Sequence, residues 1–141
     1  MRLIISCLPV LFMLASCGRP VSDELFSFFD DAGYAEYSLD MSDSTAYSLQ
    51  LYVYADDMLA PGDSLTVRMD YLSPDKVPYS ETLVLYGVNV SDRALCRTLR
   101  EDFRPVTYGL WRAAVNIGHQ NKEKYSITGA GLRLIRENGT R

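Results

Sequence analysis

The sequence predicts an all-β protein, an antiparallel β-sandwich of six to eight short strands. Apolar and polar residues alternate with a period of two from Tyr37 onward. Turn residues punctuate the alternating runs at short intervals, and the chain holds ten tyrosines, a residue favoured in strands. The 141 residues, 48% apolar and 23% charged, suit one globular domain.

The first element is a leader. Arg2 is a short positive region, and Leu3 to Leu14 is almost wholly apolar, too short to span a bilayer comfortably and suited to a secretory signal. It ends in Leu14-Ala15-Ser16-Cys17, which resembles the lipobox of bacterial lipoproteins. That resemblance implies cleavage between Ser16 and Cys17, with diacylglycerol on the Cys17 thiol and a further fatty acyl chain such as palmitate on the new amino group. Each buried methylene contributes about 0.8 kcal/mol, so two or three chains anchor durably. The expected organisation is a signal peptide over residues 1–16, a tether over 17–24 and one sandwich domain over 25–141.

Within the domain, "YSLQLYVY" sets Tyr47, Leu49, Leu51 and Val53 on one face and Ser48, Gln50, Tyr52 and Tyr54 on the other. Pro61-Gly62 marks a turn, and "SLTVRMDY" alternates again with Leu65, Val67, Met69 and Tyr71 together. "SPDKVPY" reads as a loop. "ETLVLYGVNV" is apolar on both faces around Leu83, Val84 and Leu85, as expected of a central strand. In "SDRALCRTLREDF" the period changes. Ser91 could cap a short helix near residues 92–103, with Leu95, Leu99 and Phe103 at i, i+4 and i+8. "GLWRAAVNI" groups Trp111, Ala113, Val115 and Ile117, and "GHQNKEK" reads as a polar turn. "YSITGAGLRLIRE" closes the chain as one or two strands, where isolated Gly129 and Gly131 signal a bulge or a close approach.

The lipobox, the paired strands "YSLQLYVYADD" and "SLTVRMDYLSPD", the following "ETLVL" and the closing "ITGAGLRL" resemble the gliding-motility lipoprotein H family of Bacteroidota. The likeness covers about Tyr37 to Arg136. The segment "VSDRALCRTLREDF" departs from that family, in which glycine and tryptophan dominate this stretch. The resemblance implies a β-sandwich anchored in the cell envelope, at the outer membrane, serving as an accessory to an envelope assembly. It carries over no catalytic residues and, because members occur in non-gliding bacteria, no motility. Ser22-Asp23-Glu24 resembles the acidic surface-export signal of Bacteroidota lipoproteins. Asp43-Ser44-Thr45 and Asp63-Ser64-Leu65 resemble their O-glycosylation acceptor, at Ser44 and Ser64.

Little chemistry is assembled in the sequence. The net charge of −4 is spread among interspersed signs without a basic run, which argues against nucleic acid as a partner. His119 is the single histidine and sits in a polar turn. Cys7 leaves with the leader and Cys17 takes lipid, so Cys96 has no disulfide partner and is expected to be a buried structural thiol. No zinc or Cys-His site can be built, and no cofactor fingerprint is present. The Asp30-Asp31 and Asp56-Asp57 pairs read as solvated turns, although loop oxygens at Asp56 and Asp57 would suit weak calcium binding. The chain is therefore expected to be no enzyme and to hold neither metal nor cofactor. Its expected partners are the membrane, through Cys17, and other envelope proteins. Tyr52, Tyr54 and Tyr86 are the candidate binding surface. The alternative occupant of that surface is glycan, since rigid amphipathic rings serve both.

Overall fold

The period-two alternation resolves into two facing antiparallel sheets. The computed structural model describes residues 21–55, 63–86, 90–91 and 94–137. Among these, the strands are β1 (Val21–Phe28), β2 (Tyr34–Met41), β3 (Tyr47–Ala55), β4 (Ser64–Leu72), β5 (Pro78–Tyr86), β6 (Val90–Ser91), β7 (Ala94–Phe103), β8 (Gly109–Asn116) and β9 (Ile127–Arg136), with a helix α1 (His119–Lys124) before β9. One sheet has the order β1-β9-β3-β7-β6 and the other β2-β8-β4-β5. The protein is an all-β sandwich. The leader, Ser16, Cys17, Asp56 and Asp57 lie outside the described residues.

The core follows the alternation. Tyr47, Leu49, Leu51 and Val53 are buried from β3, Leu65, Val67 and Met69 from β4, and Trp111, Ala113 and Val115 from β8. They meet Ala130, Leu132 and Leu134 of β9 between the sheets. Polar groups drawn inward are satisfied: the buried Thr45 hydroxyl donates to the Glu137 carbonyl, and the Tyr37 hydroxyl donates to that of Ala130. At the β1–β2 turn Gly33 adopts φ 80°, and a Cβ there would lie 2.6 Å from the Gly118 carbonyl oxygen. Both conditions require glycine, because the turn packs directly on the loop before α1.

Four expectations change. Where a helix near 92–103 is expected, residues 94–103 hold a strand, β7: the even spacing of Leu95, Leu99 and Phe103 fits one face of either element. Pairing with β3, through a register shift near Leu49, selects the strand. The helix lies instead at the "GHQNKEK" turn, where basic Lys122 and Lys124 sit favourably in its last turn. Residues 21–24, expected in the tether, belong instead to β1, where Val21 to Glu24 pair with Arg136 to Arg133 of β9. β5 is an edge strand, not a central one. Leu83 and Leu85 face the core, while the neighbouring Val84 carbonyl accepts a hydrogen bond from Arg97 Nη1 of the opposite sheet at 2.7 Å. That contact occupies the edge a further strand would use.

Candidate aromatic binding face

Tyr52 and Tyr54 stand on the outer face of the five-stranded sheet, as the alternation requires. β9 separates them from β1, and the register is specific: Gly131 lies between Phe26 and Tyr52, and Gly129 between Phe28 and Tyr54. Two aromatic rails therefore flank a floor of two glycines. Phe26 folds over that floor and meets Phe28 and Tyr54 edge to face, at centroid distances of 5.0 and 5.6 Å. A Cβ on Gly129 would lie 2.6 Å from Phe26 Cζ, so the absent side chain is what admits the ring. The rings remain open to solvent, Phe28 at 74%, Phe26 at 52% and Tyr54 at 36%.

Beside this apolar end the face becomes polar. Arg133 places its guanidinium 5.1 Å from the Tyr52 ring centroid and forms an ion pair with Glu24 at 2.7 Å. The Tyr52 hydroxyl donates to Gln50 Oε1 at 2.9 Å. Glu24, Phe26, Tyr52, Tyr54, Gly131 and Arg133 bound a notch of about 260 Å³. The ion pair is solvent-facing and worth no more than about 1 kcal/mol, so its main effect is to hold Arg133 over Tyr52.

Tyr86 does not join this face. It ends β5 on the other sheet, opposite Ser64. Ser64 and Ser44 are both exposed, the first at the start of β4 and the second in the β2–β3 turn. Cys96 is half-buried rather than buried, paired in register with Tyr52 on the outer face, its Sγ 3.9 Å from the Ala94 carbonyl. His119 opens α1 with Nδ1 2.7 Å from the Asp31 carbonyl. Asp30 accepts hydrogen bonds from the Ala32 and Tyr34 amides, each at 3.0 Å, and so stabilises the turn it occupies.

Phe26, Phe28, Glu24 and Arg133 were not legible as site residues. The signal available was the i, i+2 pair of phenylalanines in "LFSFF" matched to the i, i+2 glycines in "TGAGL". The glycines mark close approach of side chains, one of the two meanings such isolated glycines carry.

A larger groove of about 530 Å³ crosses the outer face of the four-stranded sheet. Glu36 and Asp70 flank Ala114 there, two strands apart and hence about 10 Å between backbones. Each is engaged: Glu36 accepts from the Tyr34 hydroxyl and lies 3.6 Å from Arg112, while Asp70 pairs with Arg68 at 3.0 Å and accepts from the Ser80 hydroxyl. Burial, and then the hydrogen bond to Glu36, raise the Tyr34 pKa above its ordinary value. Among the described residues no group of three or more His, Cys, Asp or Glu side chains is placed to hold a metal ion. No helix among them is long and apolar enough to cross a membrane.

No family model and no curated protein matches the chain. Among solved structures, a periplasmic inhibitor of g-type lysozyme from Aeromonas hydrophila is similar at 10% identity and a TM-score of 0.40, covering 84% of this chain and 88% of that one. A subunit of Bacillus endospore appendages is similar at 15% identity and a TM-score of 0.40, covering 87% and 91%. A structure described as CBM4 is similar at 7% identity and a TM-score of 0.41, covering 86% and 80%. Likenesses of this size carry no inference about what this chain binds.

Proposed function

We propose that the protein is a lipid-anchored, non-catalytic component of a bacterial cell envelope, held at the outer membrane through Cys17. Its aromatic face docks another envelope protein in an accessory role like that of the gliding-motility lipoproteins it resembles in sequence. The single observation that carries the docking reading is the exposed cluster of Phe26, Phe28 and Tyr54 on one outer sheet face. Large exposed phenylalanines cost solubility, and a contiguous aromatic patch rimmed by polar groups is the usual signature of a protein contact. The edge-to-face packing of the rings favours a protein over a sugar, because it leaves no flat platform. The lipobox carries the anchoring reading. The carboxylates of the larger groove, each tied to a guanidinium and a hydroxyl, support a non-catalytic reading.

A glycan reading is favoured by one feature, the notch beside Gly131, where Tyr52, Arg133, Glu24 and Gln50 offer a ring edge and hydrogen-bonding groups together. Quantitative co-purification from native membranes separates these readings when wild type is compared with Phe26→Ser/Phe28→Ser and with Arg133→Ala. Protein docking requires the double phenylalanine variant to lose a specific partner that Arg133→Ala retains. Retention of every partner by the double variant would refute docking through this face.

A further inference from the structure

A second opening lies between the two sheets, away from the aromatic face. Its floor is the edge of the core, Met41 of β2 and Trp111 of β8, both nearly inaccessible, and its open sides are Tyr79, Phe103 and Val106; it holds about 320 Å³, within the lower range of small-ligand pockets. Tyr79 stacks on Trp111 at 5.7 Å, and Val106, 75% exposed, stands at the rim. The Trp111 indole N–H is satisfied by the Thr107 carbonyl at 2.8 Å, so the ring adds no unpaired donor to the floor of the cleft.

The polar groups around this cleft are unequal. Glu81 is consumed: it accepts from the Tyr71 hydroxyl at 3.0 Å and pairs with Arg100 at 3.1 Å. Arg104 also lines the cleft, is exposed, and joins none of the ion pairs among the described residues. Glu101 and Asp102, its acidic neighbours in sequence, are not part of the lining. The lining thus carries two guanidiniums against one carboxylate, and the guanidinium left over sits at the mouth of an apolar slot.

We propose that this cleft binds a single-chain amphiphile with an anionic head, its acyl chain lying over Met41 and Trp111 and against Tyr79, Phe103 and Val106, and its carboxylate or phosphate on Arg104. A guanidinium presents paired donors to either oxyanion, and the walls present no donor that an alkyl chain would leave unsatisfied. The cleft shares no residue with the aromatic notch, so this inference stands apart from the docking reading. Tyr47 pairs with both Phe103, in the cleft wall, and Arg136, the partner of Val21, so the cleft opens at the end of the sandwich where the chain enters. On the lipid-anchor reading that end is close to the bilayer, which supplies such ligands.

Trp111 is the only tryptophan, which makes its fluorescence a direct report on the cleft. The full chain, reconstituted in phosphatidylcholine vesicles, is titrated with terminally brominated undecanoate, with the matching undecanol and with brominated alkyl phosphate. Saturable quenching by the carboxylate is expected, weakened about tenfold in Arg104→Ala, with the alcohol weakened similarly against wild type. Chain shortening should weaken binding about fourfold per methylene. The carboxylate and the phosphate, titrated separately, distinguish the head group preferred. Quenching that never saturates, or that saturates equally in wild type and Arg104→Ala, overturns the proposal. Arg104 is exposed, so its variant tests the head-group contact without disturbing the core.

Discussion

Phe26 and Tyr54 meet edge to face across Gly129, with ring centroids 5.6 Å apart, although they come from the first and third strands of the chain. β9 lies between those strands, and its missing side chain at residue 129 is the space the Phe26 ring occupies. The aromatic face and the glycine pattern therefore depend on each other.

This dependence predicts unequal effects of the two floor glycines. Gly129→Ala sets a methyl 2.6 Å from the Phe26 ring and 2.7 Å from the Ser27 carbonyl, which is backbone and cannot swing away. It is expected to destabilise the protein by about 1–3 kcal/mol. Gly131→Ala meets the Leu25 carbonyl at 3.3 Å and Tyr54 Cε2 at an ordinary contact distance of 3.7 Å, and should cost clearly less. Urea unfolding of the two variants checks the order.

The core carries most of the stability. Leu51 is fully buried at the centre of β3 and joins the cluster formed by both sheets. Leu51→Ala should cost about 2–5 kcal/mol, whereas Tyr86→Ser at the exposed end of β5 should change stability by no more than about 0.5 kcal/mol. Denaturant midpoints compared at equal slopes test both.

Alkaline pH should unfold the protein through its inner tyrosines. Burial pushes the Tyr37 and Tyr71 hydroxyls well above the ordinary tyrosine range, and for Tyr71 the Glu81 charge adds to it, partly opposed by Arg100. The unfolded chain releases these protons near pH ~10 while the folded chain keeps them. Their contribution is complete below that pH and is lost as pH rises toward the folded values, at up to about 1.4 kcal/mol per pH unit for each residue. Tyr71→Phe should unfold along a shallower stability curve between pH 9 and 11, although it starts about 1 kcal/mol lower because Glu81 loses a donor.

Anchoring through Cys17 predicts incorporation of radiolabelled fatty acid by the full chain in a bacterial host and none by Cys17→Ala. Label retained by that variant would remove the anchor, and with it the envelope address, while leaving the sandwich untouched.

The strands whose two faces differ were legible in advance. β3, β4 and β8 each bury one set of alternating side chains, and period two is a local property. β1 was not, because Leu25 and Phe29 face inward while Phe26 and Phe28 face out, leaving an apolar run without alternation. β7 was ambiguous for the opposite reason: its leucines recur at a spacing that two periodicities share. β5 looked central because its composition is apolar, yet edge or centre depends on which strand lies alongside, and that is decided by distant pairing. The site has the same origin. Tyr52 and Tyr54 were visible as an outward pair, but the rail opposite them exists only because β9 inserts between β1 and β3.

The most direct test of the docking face is photo-crosslinking in intact cells, with benzoylphenylalanine placed at Phe28 in one full-length variant and at Tyr86 in another. Both positions are exposed, at 74% and 51%, and they lie on opposite sheets. A discrete crosslinked protein is expected from position 28, absent from position 86 and lost when Phe26→Ser is added. Equal crosslinking from the two positions, or none from position 28 in correctly localised protein, would contradict the account.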